Sequence, residues 1–120
     1  MNNQEAFDKN WQHFVVEKKP PGISESGSCL YLTRDGHRCG VGILLTQQEA
    51  EVLRGSYIGV FTLFERDQVP ASLMGMDQQF LESLQTAHDT ATRSINGSFH
   101  DAYEIRLRSM AEKYNLKVPA

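Results

Sequence analysis

Apolar residues recur at helical spacing along most of this chain, and one central stretch breaks the rhythm. Ala6, Phe7, Trp11, Phe14 and Val15 share one face of a helix expected from Gln4 to Lys18, a core-facing stripe. Asn2 with Glu5 three residues later forms a capping pair at its start. Lys18 and Lys19 suit the carbonyl end of its dipole, and Pro20-Pro21-Gly22 stops it. Thr46-Gln-Gln-Glu49 is a capping box that opens a second helix, ended near Arg54 by Gly55. Between Ser56 and Met76 the apolar residues have no clean period, and a short helix over Val60–Asp67 is expected there. From Asp77 to Thr92 the stripe is Phe80, Leu81, Leu84, His88 and Ala91, which places His88 on the buried side. Asn96-Gly97 reads as a turn, and Ser98-Phe-His-Asp101 starts a last helix to about Tyr114, with Phe99, Tyr103, Leu107, Met110 and Tyr114 inward. Residues 117–120 form a tail that docks or frays.

The exception is Cys29–Leu45. Leu30, Tyr31, Leu32 and Thr33 suit a pleated, half-buried surface. Asp35-Gly36 supplies a turn, and Val41, Ile43, Leu44 and Leu45 return as an apolar run. This predicts a β-hairpin and an α+β class: one hairpin packed against four or five helices in a single domain over residues 1–120. In a regular hairpin Cys29 and Cys39 stay apart. A two-residue turn points them to opposite faces, and a three-residue loop leaves them about 13 Å apart at the usual strand rise. A disulfide needs Cα atoms about 4.4–6.8 Å apart, so two free thiols are expected.

Charge adds mainly exclusions. The 120 residues carry a net charge of −3, and the arginines are scattered among acids. A basic stripe for nucleic acid is therefore not expected. No apolar run approaches the length of a membrane helix, and the polar N-terminus lacks the apolar core of a secretory signal. Unpaired thiols fit a reducing cytoplasm.

Candidate chemistry concentrates on few residues. Cys29, Cys39, His37 and His88 are ligand types that zinc takes, although no C-x-x-C knuckle is present. A thiol with His88 and Asp89 has the composition of nucleophile, base and orienter. Neighbours on a helix point about 100° apart, however, so Asp89 is badly placed to orient His88 and better placed to pair with Arg93 at i+4. The imidazole of His88 is expected to bond to backbone or to Tyr31. Gly40 and Gly42 flank Val41 without a nucleotide-binding pattern and are expected to admit a closely packed backbone or the first helix.

Three pieces together, Cys29-Leu-Tyr31, Gly36-His-Arg-Cys39-Gly-Val41-Gly42-Ile-Leu and Leu84-Gln-Thr-Ala-His88-Asp89, resemble an uncharacterised family of small bacterial and phage proteins. Its members share C-x-Y, G-x-[RK]-C-x-V-G-x-L and L-Q-x-x-H-D in that order. The resemblance covers about Cys29–Asp89. It implies that both thiols, His88 and Asp89 gather in one place, hairpin against fourth helix, and it implies a phage or mobile-element setting. It brings no reaction with it.

Two functional expectations follow. The first is a small non-enzymatic protein-binding module, an inhibitor or modulator of a host protein, cytoplasmic, with a protein partner, no cofactor, and homo-oligomerisation left open. Its suspected surface is the apolar stretch with Tyr57, Ile58, Phe61 and Phe64, since large exposed apolar patches mark interaction sites. The second is a small zinc- or thiol-dependent enzyme centred on Cys29, Cys39 and His88, with Tyr31, His37 and Asp89 as polar neighbours.

Overall fold

The computed structural model describes residues 1–25, 27–95 and 97–119. Among the described residues there are five α-helices: α1 Asn3–Asn10, α2 Gln47–Val52, α3 Val60–Glu65, α4 Gln78–Thr92 and α5 Phe99–Lys113. Short 3-10 turns cover Gly42–Leu44 and Ala71–Leu73. The capping boxes at Asn2/Glu5 and Thr46/Glu49 are both formed, so each helix start has its first orphan amides met by side chains. Asp77 and Ser98 cap α4 and α5 in the simpler way, each accepting from an amide of the first turn.

α4 and α5 pack against each other, and α5 also meets the continuation of α1. That continuation, Trp11–Val16, is wound as a π-helix, with Glu17 N–H donating to the Gln12 carbonyl at 2.9 Å. Widened turns of this kind collect at functional positions. Here the turn carries Phe14 to the centre of the core, fully buried among the rings of Phe99, Tyr103 and His88. The helix ends at Lys18 in a left-handed conformation (φ 52°), before the prolines are reached. The tail docks on α1: the Gln4 side chain exchanges two hydrogen bonds, each 2.9 Å, with the backbone of Lys117. The turn expected at Asn96-Gly97 includes a residue outside the described ones, and so does the tail at Ala120.

The expected hairpin is not formed, and the chain is all-helical rather than α+β: the described residues contain no β-strand, only isolated bridges pairing Pro21 with Arg38 and Ile23 with Cys29. The reason lies in burial. A hairpin on a helical layer buries alternate residues, yet Leu30, Tyr31, Leu32 and Thr33 are all buried in succession. They form an extended passage through the core whose polar groups are met one at a time by separate segments. Leu30 N–H donates to the Gly22 carbonyl, the Leu30 carbonyl accepts from Cys39 N–H at 3.2 Å, and the Leu32 carbonyl accepts from Gly55 N–H. The Asp35-Gly36 turn does exist, closed by Thr33 N–H to the His37 carbonyl at 2.8 Å. After it the chain winds instead of pairing. Val41, Leu44 and Leu45 are buried at i, i+3 and i+4, a helical spacing within a tight turn. Gly42 makes this possible, because a Cβ there would overlap the Tyr31 carbonyl.

Candidate functional site

Two passages and one helix meet at the centre of the molecule. The bond from Cys39 N–H to the Leu30 carbonyl sets the backbones of the 29–30 and 38–39 segments side by side. The two thiols are thereby brought near enough to act on each other's acidity, and both cysteines are free. α4 then lays His88 over Cys29, with Nδ1 at 3.3 Å from Sγ. The other ring nitrogen, Nε2, accepts the backbone N–H of Gly22 at 3.3 Å. Gly22 is the residue that allows this approach: a Cβ on it would overlap the backbone at Arg38 and Cys39.

The direction of these bonds follows from donor and acceptor chemistry. A neutral imidazole has one N–H and one bare nitrogen. Gly22 donates to Nε2, so the proton resides on Nδ1 and faces Cys29. Beyond Cys29 lies Cys39, whose Sγ receives the Gly42 N–H at 3.4 Å. The donors therefore run one way, from Gly22 through His88 to Cys29.

The acid–base preferences agree with that direction. The Cys29 thiol, together with the backbone amides of Gly42 and Val41, holds Cys39 below the usual thiol range despite its complete burial. The neighbouring Cys39, and then burial, push Cys29 up. Any negative charge on the pair settles on the inner sulfur. Burial among Phe14, Phe99 and Tyr103, with a smaller contribution from His13, lowers His88 to about 3, so its ring is neutral at pH 7.

Around this centre a second network fixes the Gly40 loop. Buried Asn10 donates to the carbonyls of Ala6 and Gly40, both at 3.0 Å, and its Oδ1 accepts from the Tyr103 hydroxyl at 2.6 Å. Gly40 lies against that hydroxyl and against Asn10. Arg38, on the outer side, donates to the carbonyls of Gly42 and Leu45 and closes the end of the 3-10 turn.

Cys29 is the half-buried member of the pair, and it lines an open pocket of about 310 Å³ with Tyr57, Gln85, Thr86, Asp89 and Arg93. A larger groove of about 820 Å³ between α4 and α5 has neither a cysteine nor a histidine in its lining. The thiol–imidazole chemistry therefore opens on the smaller pocket.

The remaining sequence candidates divide. Tyr31 is buried, and its hydroxyl accepts from the Gln85 amide at 3.2 Å rather than bonding to His88. Asp89 pairs with Arg93 at 3.5 Å and does not orient the imidazole, a task that falls to Gly22. His37 closes the 33–37 turn through its backbone, its N–H donating to Thr33 Oγ1 at 3.0 Å. Tyr57 and Phe61 are exposed, while Ile58 and Phe64 pack partly against the core. Among the described residues no group of three or more His, Cys, Asp or Glu side chains is arranged to hold a metal ion. No helix among them is long and apolar enough to cross a membrane. Gly22, Asn10, Tyr103 and Gln85 are part of the site and carry no chemical signal of their own in the sequence. In the sequence Tyr103 shows only as part of an apolar stripe, Gly22 only as a helix stop, and Gln85 only by its place between Leu84 and His88.

A scan against family models gives no match, and searches of curated proteins and of solved structures give none either, so the reading of the site rests on its own geometry.

Proposed function

We propose that this chain is a small thiol protein whose Cys29 and Cys39 interconvert between a dithiol and a disulfide, with Cys29 as the residue that meets the substrate. The observation that carries the reading is His88 Nδ1 at 3.3 Å from Cys29 Sγ across 59 residues of sequence, where the Cys39 N–H bond to the Leu30 carbonyl sets a second thiol beside the first. A cysteine in a merely packed core needs no imidazole and no second thiol.

The chemistry is exchange with an external disulfide R–S–S–R. Once the pair has lost one proton, Cys39 holds the charge; the Cys29 proton then passes to the Cys39 thiolate, leaving a Cys29 thiolate faced by the Nδ1–H of His88. That thiolate attacks one sulfur; a Cys29–S–R bond forms as the S–S bond breaks, and R–S⁻ leaves. The leaving thiolate takes the proton from Cys39. The freed Cys39 thiolate then attacks Cys29 Sγ, closing the internal disulfide and releasing the second R–S⁻. Two electrons pass from the protein to the substrate disulfide. The cytoplasm, where such a pair starts reduced, is the compartment that suits it.

Equilibration of the folded protein in mixtures of reduced and oxidised dithiothreitol, followed by acid quench, alkylation and mass spectrometry, tests this. The expected result is a single reversible transition in which both thiols are lost together. Two thiols that stay alkylatable at the most oxidising ratio overturn the reading.

A second reading is supported by a separate observation. Tyr57 and Phe61 are 64% and 57% exposed, and Tyr57 borders the Cys29 pocket. We propose on that basis a protein-binding face beside the thiols, in keeping with the modulator role and the phage or mobile-element setting that the family resemblance implies. Host proteins retained by the chain but lost with a Tyr57→Ser/Phe61→Ser variant of unchanged stability support it; identical retention overturns it.

A further inference from the structure

We infer that the pocket beside Cys29 takes the amino-acid head of a small disulfide of the cystine type, with the α-ammonium on Asp89 and the α-carboxylate on Arg93. The inference rests on the thiol–disulfide reading above and names its substrate class.

The first support is an unmet acceptor. Asp89 Oδ1 is buried without a hydrogen-bond partner among the described residues, although its other oxygen lies 3.5 Å from Arg93 Nη2. A buried carboxylate oxygen calls for a donor, and an ammonium group supplies three. The neighbouring Gln85 does not serve, because its Oε1 accepts from Val60 N–H at 2.9 Å and its amide donates to Tyr31. The second support is charge arrangement. Asp89 in the last turn of α4 and Arg93, its C-cap residue, stand four positions apart, so a group bearing both charges on one carbon can meet both at once. Arg93 is largely exposed and free to swing its fork towards a carboxylate.

The third support is distance to the chemistry. Cys29, Asp89 and Arg93 line the same pocket of about 310 Å³, near the lower end of ligand-pocket volumes. Both charged groups act on the Cys29 thiol, Asp89 raising and Arg93 lowering its tendency to stay protonated. In cystine the sulfur is one methylene from the carbon that bears both charges, a reach that matches a head group seated beside Cys29. Attack by Cys29 then forms the Cys29–S–R mixed disulfide and releases one cysteine thiolate. Cys39 closes the internal disulfide and releases the second.

The test uses the full reduced chain and four reagents: cystine, cystamine (ammonium only), dithiodiglycolate (carboxylate only) and hydroxyethyl disulfide (neither). Each rate is divided by the same reagent's rate with a free reference thiol. Cystine is expected to exceed hydroxyethyl disulfide by about tenfold after this correction, the size of one charge-assisted hydrogen bond. That ratio collapses towards one in Asp89→Asn and in Arg93→Gln. Equal corrected rates for all four reagents, or a ratio unmoved by either substitution, overturn the inference and leave the thiol–disulfide reading standing. Failure of every reagent, hydroxyethyl disulfide included, to oxidise the folded protein overturns both.

Discussion

Gly22 donates its backbone N–H to Nε2 of His88 across 3.3 Å, and this bond decides which ring nitrogen faces Cys29. The imidazole is thereby held as the Nδ1–H tautomer. A loop glycine, rather than the carboxylate next to it in sequence, orients the only histidine that touches a thiol among the described residues.

The burial of that ring has a thermodynamic consequence. His88 is held at about 3 in the folded chain, against about 6.5 when unfolded. The unfolded state therefore binds the extra proton first. The stabilising effect of a neutral His88 is complete above pH 6.5 and is lost as pH falls from there towards 3. By pH 5 the loss amounts to about 2 kcal/mol. Burial lowers His13 as well, which adds in the same direction. Urea unfolding of the wild type at pH 7 and pH 5, beside His88→Gln, checks this: the fall in stability is markedly smaller in the variant. Equal falls would contradict a buried neutral His88.

Thiol reactivity separates the two cysteines. Cys39 is 0% exposed, whereas Cys29 lines the pocket, so native-state alkylation labels Cys29 and reaches Cys39 only on unfolding. Labelling of Cys29 is slow at neutral pH because the neighbouring Cys39 and burial keep it protonated. Cys39→Ser removes the larger of those causes. The alkylation profile of Cys29 in that variant is expected to move to lower pH, and an unmoved profile would show the two thiols to be uncoupled.

The helices were legible because period and caps agree. Thr46 and Glu49 form both bonds of the box that their spacing announces, at 3.1 Å and 2.9 Å, and His88 lies on the buried stripe with Phe80 and Leu84. The stretch from Cys29 to Leu45 was not legible as it folds. A run such as Leu30–Thr33 carries no period to distinguish a strand from a buried passage. The hairpin register that followed from it kept the thiols apart, whereas the crossing of two segments at Leu30 and Cys39 brings them together. Gly22 reads in sequence as the end of a helix. Its bond to a histidine 66 positions away leaves no local trace.

The glycine of the Cys39 turn is under steric rather than conformational constraint. Gly42→Ala places a methyl group against the Tyr31 carbonyl and is expected to cost about 1–3 kcal/mol or more. Gly59→Ala meets only the end of the Gln85 side chain at 3.4 Å and serves as the mild control. Denaturant midpoints compare the two, and similar losses would argue against the close approach of the two passages.

Tyr103 tests the support beneath the site. Tyr103→Phe leaves Asn10 Oδ1 buried without the hydroxyl that donates to it, a loss of about 1–3 kcal/mol. Asn10→Ala in the same background is expected to add less than its effect alone, since both belong to one network. Strict additivity in the double-mutant cycle would show that the bond carries little.

The central claim is that Cys29 and Cys39 form one reversible couple inside an intact fold. The ¹³Cβ resonances of the two cysteines, followed by NMR through a dithiothreitol series, test it most directly because each sulfur is read separately while the amide spectrum reports on the fold. The account predicts that both resonances move together from reduced to disulfide positions and back, with the dispersed amide spectrum retained. Resonances that stay at reduced positions throughout, or that move only as the amide dispersion collapses, would contradict it.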